Sequence, residues 1–249
     1  MSMSLTSVGI VVALKAEAAA LTTRSIPPES VVRLTEGCRV WLSGMGPDAA
    51  GKGALALMDA GATALMTFGV AGALDNDLRS GALLCPQRVL DEHARAYPVN
   101  AQWRDQLLRR LMNTELSRVF EGALLSVSKP LFTAEAKAVA RNRYHAVAVD
   151  MESAAVAAIA QEFGLPFLSL RAVVDELDDE IPSALHGIID PWGQPQRAKL
   201  IRVLARQPWL LTRLPRLAAQ MNKALAALSA AAPIVCRFEP QTPLQRTDA

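Results

Sequence analysis

Ala148-Val149-Asp150-Met151-Glu152-Ser153-Ala154-Ala155 places two carboxylates around a methionine where an apolar run (Ala146 to Val149) gives way to an alanine-rich helical pattern (Ser153 to Phe163). A strand that passes into a helix is the elementary step of an open α/β sheet. Ligands sit at that junction because strand ends and helix N-termini expose unpaired backbone donors. Chemistry at Glu152 is one reading. The other is that both acids simply favour the partial positive charge of a helix N-terminus.

Outward from this junction the same grammar repeats. Gly164-Leu165-Pro166-Phe167-Leu168-Ser169-Leu170-Arg171-Ala172-Val173-Val174-Asp175 reads as a helix stop, a buried strand and an acid at the strand's far end. Arg171, four residues before Asp175, alternates to the same strand face, where it would orient an acid or an anion or serve as an ordinary salt-bridge partner. Upstream, the apolar strand Val8 to Leu14 leads into Lys15-Ala16-Glu17-Ala18, with Glu17 either at a site or a solvent-facing first-turn acid. Ser43-Gly44-Met45-Gly46-Pro47-Asp48-Ala49-Ala50 is a turn before a helix, and Gly69-Val70-Ala71-Gly72-Ala73-Leu74 a second small-residue loop.

These five blocks, in this order between about residues 8 and 178, resemble the purine nucleoside phosphorylase and methylthioadenosine/S-adenosylhomocysteine nucleosidase superfamily. The resemblance implies a three-layer α/β fold with a central, mostly parallel mixed sheet flanked by helices. It also implies cleavage of the N-glycosidic bond of an adenine nucleoside. On that footing Met151 and Glu152 grip the ribose, Asp175 protonates the purine, and Glu17 activates water. Ser43 and Gly44 of the first turn, Val70, Ala71 and Gly72 of the second, and Arg171 join the substrate site. Leu131-Phe132 lies where the family supplies an apolar clamp, although Phe132 is equally readable as a core aromatic.

The chain departs from the family pattern at Thr67-Phe68-Gly69-Val70, where phosphorylases carry Arg-x-Gly-Ser and nucleosidases keep the serine. Glu17 favours hydrolysis, since a carboxylate repels phosphate. Lys129, Arg171 and the backbone of Ser43 to Gly46 nevertheless offer material for another phosphate site. Inorganic phosphate therefore stays open as a co-substrate; no other cofactor and no metal is expected.

Between Arg197 and Lys223 the chain carries seven basic residues and no acid, interleaved with Leu200, Ile201, Leu204, Trp209, Leu210, Leu211, Leu214 and Leu217. Such a basic amphipathic segment suits an anionic membrane surface, or a packed helix pair with a solvated face. The extension and the Asp-Met-Glu-Ser variant look most like the hopanoid-associated phosphorylase group, whose assigned reaction removes adenine from adenosylhopane. The alternatives are a soluble methylthioadenosine/S-adenosylhomocysteine nucleosidase and a non-catalytic nucleoside-binding protein. The family resemblance further implies a homo-oligomer.

Composition bounds these readings. A chain of 249 residues suits one large domain, expected over 1–238 with helices over 195–229 and a disordered tail over 239–249. Aromatics are only 5%, so its core is built from Ala, Leu and Val. The net charge of +2 gives no argument for nucleic acid. Cys38, Cys85 and Cys236 have no paired or metal-type spacing, and no targeting segment is visible, so a cytoplasmic protein is expected, at most associated with a membrane surface.

Strands are expected at Val8 to Leu14, Val40 to Leu42, Ala64 to Phe68, Ala82 to Cys85, Gly122 to Val127, His145 to Val149 and Pro166 to Val174. Helices are expected at Ala16 to Leu21, Ala49 to Asp59, Ala101 to Met112, Ala134 to Arg143, Ser153 to Phe163 and from Pro195 onward. Gly46-Pro47-Asp48-Ala49-Ala50-Gly51-Lys52-Gly53 nearly spells a phosphate-cradling loop, but Gly53 replaces the hydroxyl residue that holds magnesium. No G-x-G-x-x-G follows the first strand, no G-x-S-x-G elbow occurs, and His93, His145 and His186 have no ligand-like spacing.

Overall fold

The computed structural model describes residues 7–112, 119–182, 185 and 187–236. In chain order the elements are β1 (Val8–Val12), α1 (Lys15–Leu21), β2 (Val31–Thr35), β3 (Cys38–Leu42), α2 (Pro47–Asp59), β4 (Ala64–Ala73), β5 (Leu83–Leu84), β6 (Arg88–Leu90) and β7 (Ala96–Pro98). They continue with α3 (Ala101–Met112), β8 (Val119–Phe120), β9 (Ala123–Ser126), α4 (Ala134–Tyr144), β10 (Ala148–Asp150), α5 (Ser153–Glu162), β11 (Phe167–Asp175), α6 (Arg197–Arg206), a 3-10 helix (Pro208–Thr212) and α7 (Leu214–Cys236).

Among the described residues eleven strands join one mixed sheet, ordered β2-β3-β1-β4-β10-β9-β6-β7, with β11 paired to β4 and β5, and β5 to β8. β1 runs parallel to β3 and β4 on either side, so all five of its residues are buried, which is why its sequence is a continuous apolar run rather than an alternation. Helices α2 and α5 pack together over the sheet, and α7 with α1 and α3 forms a second group. The expected helix-flanked, mostly parallel mixed sheet is thus what the chain builds.

β4 positions the site. Its first half lies between β1 and β11, both parallel to it; its second half pairs antiparallel with β10, Val149 opposite Gly72. Residues 69–72 therefore run between the C-terminal ends of β10 and β11. The strand spans ten residues, twice the expected Ala64 to Phe68, because its small residues Gly69, Ala71 and Gly72 continue the ladder that their sequence disguises as a loop. β2, β6, β7 and β8 also lie outside the expected strands. Three of them have only two or three residues, too few for a period, and β2 is a half-exposed edge.

The C-terminal segment divides into α6, the 3-10 turn and α7. No helix among the described residues is long and apolar enough to cross a membrane. The expected tail over 239–249 lies outside the described residues.

Candidate active site

Each of the three expected acids is carried by a different joint of the sheet. Glu17 is the third residue of α1, and its side chain turns back over the preceding loop: Oε2 accepts the backbone N–H groups of Ala13 and Leu14, both at 2.9 Å, and Oε1 accepts that of Val70 at 2.8 Å. At 1% exposure it is not a solvent-facing acid. Burial raises its proton affinity, opposed by Arg171 and by the three amides. Gly69 makes the room, since a Cβ there would lie 2.4 Å from Glu17 Oε1 and 2.6 Å from Arg171 Nη1.

Glu152 sits at the N-cap of α5, yet its side chain does not cap that helix. Instead Oε1 accepts the backbone N–H of Gly46 at 2.9 Å, tying β10 to the turn before α2. The helix-capping reading of this carboxylate is therefore set aside. Burial pushes its pKa up to about 7, with Arg171 pulling it down and Asp150 adding to the rise. The near-match to a phosphate loop is resolved by the same bond: the amide of Gly46 is committed to a carboxylate, and Lys52 is an exposed residue of α2.

Asp175 ends β11. The ladder to β4 steps from Val173 opposite Ala71 to Asp175 opposite Gly72, a bulge that spends two residues against one. The bulge breaks the alternation on which the shared face with Arg171 depended. Asp175 turns to a different partner, the buried ammonium of Lys137 on α4. Burial raises its proton affinity and Lys137 opposes the rise.

Arg171 points the other way. Its Nη2 pairs with Asp150 Oδ2 at 2.5 Å, donates to Ser153 Oγ at 3.0 Å and lies 3.8 Å from Glu152 Oε2. Behind it, Thr67, Ser153 and Ser169 form a buried hydroxyl cluster, with Thr67 Oγ1 at 2.8 and 2.9 Å from the two serine oxygens. Arg171 thus orients acids, but those of the Asp150-Met151-Glu152 stretch and not Asp175.

The acids converge on one cavity of about 210 Å³. Glu17, Asp150, Glu152 and Asp175 line it together with Met45, Met151, Val70, Ala71 and Gly72, and Val127, Leu131, Val174 and Ile181 add apolar walls. Among the described residues, no arginine or lysine lines it. Of the other expected residues, Ser43 and Gly44 stand behind the wall: Ser43 Oγ donates to the carbonyls of Val12 and Gly44. Phe132 is half-buried outside the cavity, and its carbonyl accepts the N–H of Ile181. Arg171 and Lys129 are likewise not lining residues. Among the charged contributors not assigned a role from sequence are Asp150, which lines the cavity and pairs Arg171, and Lys137. The legible signal for Lys137 was a cation three residues before the buried Ala140, on the core-facing stripe of a helix.

The amides of Ser43 to Gly46 are all occupied. Ser43, Gly44 and Met45 donate to the carbonyls of Val12, Ala13 and Pro191, and Gly46 to Glu152. The turn therefore presents no free cradle for an anion.

Comparison with known proteins gives the family and the fold. Residues 7–205 match the family described as the Phosphorylase superfamily. An aminodeoxyfutalosine nucleosidase of Helicobacter pylori is 26% identical over 149 residues, covering 54% of this chain and 64% of that protein. A 5'-methylthioadenosine/S-adenosylhomocysteine nucleosidase of Buchnera aphidicola is 29% identical over 130 residues, 46% of this chain and 52% of that one. The chain thus spans under two thirds of the length of these curated relatives. Among solved structures, the 5'-methylthioadenosine/S-adenosyl homocysteine nucleosidase of H. pylori superposes with a TM-score of 0.67 at 18% identity, covering 93% of this chain and 98% of that one. The futalosine hydrolase of H. pylori gives 0.67 at 18% identity, covering 92% and 96%.

Proposed function

The chain belongs to the phosphorylase superfamily, and from that premise we propose that it hydrolyses the N-glycosidic bond of an adenine nucleoside. The observation that carries the reading is the convergence of Glu17 and Glu152, both buried, and Asp175, half-buried, on a single cavity that no cation lines among the described residues. Breaking the bond requires a proton for the departing base and negative charge beside the oxocarbenium-like sugar. Asp175, whose proton affinity burial raises, is the donor. Glu152 and Met151 face the ribose, Glu152 accepting sugar hydroxyls and setting charge against the developing cation. Glu17, held by three amides, keeps a free lone pair on Oε1 with which to orient and deprotonate water.

Water is favoured over phosphate as the nucleophile by the electrostatics. Four acids line the cavity, Arg171 is committed to Asp150 and Ser153, Lys129 is exposed and off the wall, and the amides of Ser43 to Gly46 are taken. The test is incubation with adenosine, methylthioadenosine and a lipid-linked adenosine, with and without inorganic phosphate, and mass analysis of the products. Adenine with free sugar, independent of phosphate, is the expected result. A sugar 1-phosphate would replace hydrolysis by phosphorolysis, and binding without cleavage would leave a non-catalytic nucleoside-binding protein.

For the 5' group, the relatives' names point to methylthioadenosine, S-adenosylhomocysteine or aminodeoxyfutalosine. A lipid-tailed nucleoside, adenosylhopane in hopanoid biosynthesis, is favoured instead by one feature: α6 buries none of its residues and leaves apolar side chains exposed among basic ones. The chain just before it leans on the cavity mouth, with the N–H of Met45 bonded to Pro191 O at 2.8 Å and that of Lys15 to Trp192 O at 3.0 Å. A cytoplasmic homo-oligomer at the membrane surface completes the proposal, its assembly to be read by sedimentation.

A further inference from the structure

Lys137 is the most deeply buried cation that the proposed chemistry has not yet used. It is 1% exposed, on the inner face of α4, a helix fixed at its start by Thr133, whose side chain accepts the N–H of Ala136 at 3.1 Å. All three ammonium protons have acceptors: Asp175 Oδ2, the Glu176 carbonyl at 2.6 Å and the Asp179 carbonyl at 3.1 Å. A lysine has three donors and no acceptor only while charged; a neutral amine would aim a lone pair at one of these oxygens. The three acceptors fix the position of the ammonium.

The acid is confined from the opposite side by Gly72. A Cβ there would stand 3.0 Å from Asp175 Oδ2 and 3.2 Å from Oδ1, so the glycine lets the carboxyl approach β4 closely. With Oδ2 anchored to Lys137, Oδ1 is the oxygen left for a ligand. The other charged groups near Asp175 are already engaged. Asp179 is held by Arg216 at 2.5 Å and Gln220 at 2.6 Å, and Glu176 by Arg79 at 2.9 Å. Glu17, Asp150 and Glu152 lie across the cavity.

We propose that Lys137 is the positioning residue of the proton donor: its ammonium selects the Asp175 oxygen that meets the base and stabilises the carboxylate left behind. The inference rests on Asp175 being that donor. In the step, the Asp175 O–H bond breaks and an N–H bond forms on the purine, while the C1'–N9 electron pair departs with the base. Water adds hydroxide to C1' and gives its proton to Glu17, and Asp175 is reprotonated from solvent. The negative charge on Asp175 appears as the glycosidic bond breaks, so a fixed cation at Oδ2 acts most strongly in the transition state.

Three variants, K137M, K137Q and K137R, test this, with kcat and KM measured across pH. The midpoint of Asp175 is followed separately by 13C NMR of labelled aspartate carboxyls, assigned through D175N. Without the cation Asp175 becomes a weaker acid. K137M and K137Q are expected to lose about 10–100-fold in kcat, a part of what a general acid supplies, with KM little changed. Their alkaline limb and their carboxyl midpoint should rise together by about 1–3 pH units, the usual effect of a nearby opposite charge. K137R, which keeps the charge, should return both to near the wild-type position. A folded K137Q with limb and midpoint unmoved would overturn the proposal and leave Lys137 a structural tie. Should K137M fail to fold, K137Q and K137R carry the comparison. A wild-type protein that releases no base overturns the proposed hydrolysis itself, whereas a fixed carboxyl midpoint in K137Q overturns only the role of Lys137.

Discussion

At Glu152, burial disfavours the charged carboxylate while the Gly46 amide and Arg171 favour it, and the balance leaves the pKa at about 7 against an ordinary value of 4.5. A folded-state pKa raised above the unfolded one means that the native state holds the extra proton. Its contribution to stability is full below pH 4.5 and is lost as pH rises through about 7. E152Q, which carries no proton to lose, should match the wild type near pH 4.5 and exceed it at pH 8, by on the order of 3 kcal/mol at about 1.4 kcal/mol per unit. Thermal melts across that range check it; parallel curves for the two proteins would contradict the assignment. D175N should keep nucleoside affinity while base release falls by about 10²–10⁴-fold, measured by adenine formation at saturating substrate. These acids were legible because each stands at a strand or helix end in family order. For Lys137 only its place on a core-facing helical stripe was legible; its partner lies 38 residues away on another element, and no local pattern announces the pair.

The site is built along β4, where missing side chains at Gly69 and Gly72 make the room for its charged groups. Gly69 admits the Glu17 carboxylate and the Arg171 guanidinium, both of which a methyl group would overlap. G69A should displace Glu17 from the Val70 amide, cost about 1–3 kcal/mol of stability as overpacking does, and abolish most turnover. A G69A protein with wild-type melting temperature and rate would show that Glu17 has freedom that the structure denies it. The order of strands and helices could be read from apolar runs and their punctuation, because β1, β4 and β11 are buried on both faces. The bulge at Val173/Asp175 could not: Val173 and Val174 are both apolar, so nothing in the run marks where alternation stops. That one extra residue is why Arg171, expected beside Asp175, instead braces Asp150 and Glu152.

At the scale of the whole molecule, basic charge and exposed apolar surface coincide on the segment before α7. On α6 and the turn after it, Ile201, Trp209 and Leu211 are 67%, 52% and 55% exposed, flanked by Arg197, Lys199, Arg202, Arg206 and Arg213. Leu200, Val203 and Leu204 of the same helix lean inward, half-buried. The seven basic residues read from the sequence as one stripe do not act alike, because Arg216 is bonded to Asp179 at 2.5 Å and belongs to the loop after β11. An anionic bilayer satisfies both halves of the remaining surface, taking Trp209 and Leu211 into its interface and the arginines at its headgroups. Each basic side chain near such a surface contributes about 1 kcal/mol. R202E/R206E/R213E should therefore release the protein from anionic liposomes at low salt, as raised salt should for the wild type. The same triple variant should still cleave a short soluble nucleoside, because none of the three touches the cavity, while its rate on a membrane-borne nucleoside falls. R216E separates the two roles: it should loosen the Asp179 loop and lower the melting temperature, with little effect on sedimentation with liposomes. If the wild type fails to sediment with anionic vesicles at low salt, the exposed stripe is a solvated helix face or a contact between copies, and a soluble 5' group becomes the better reading.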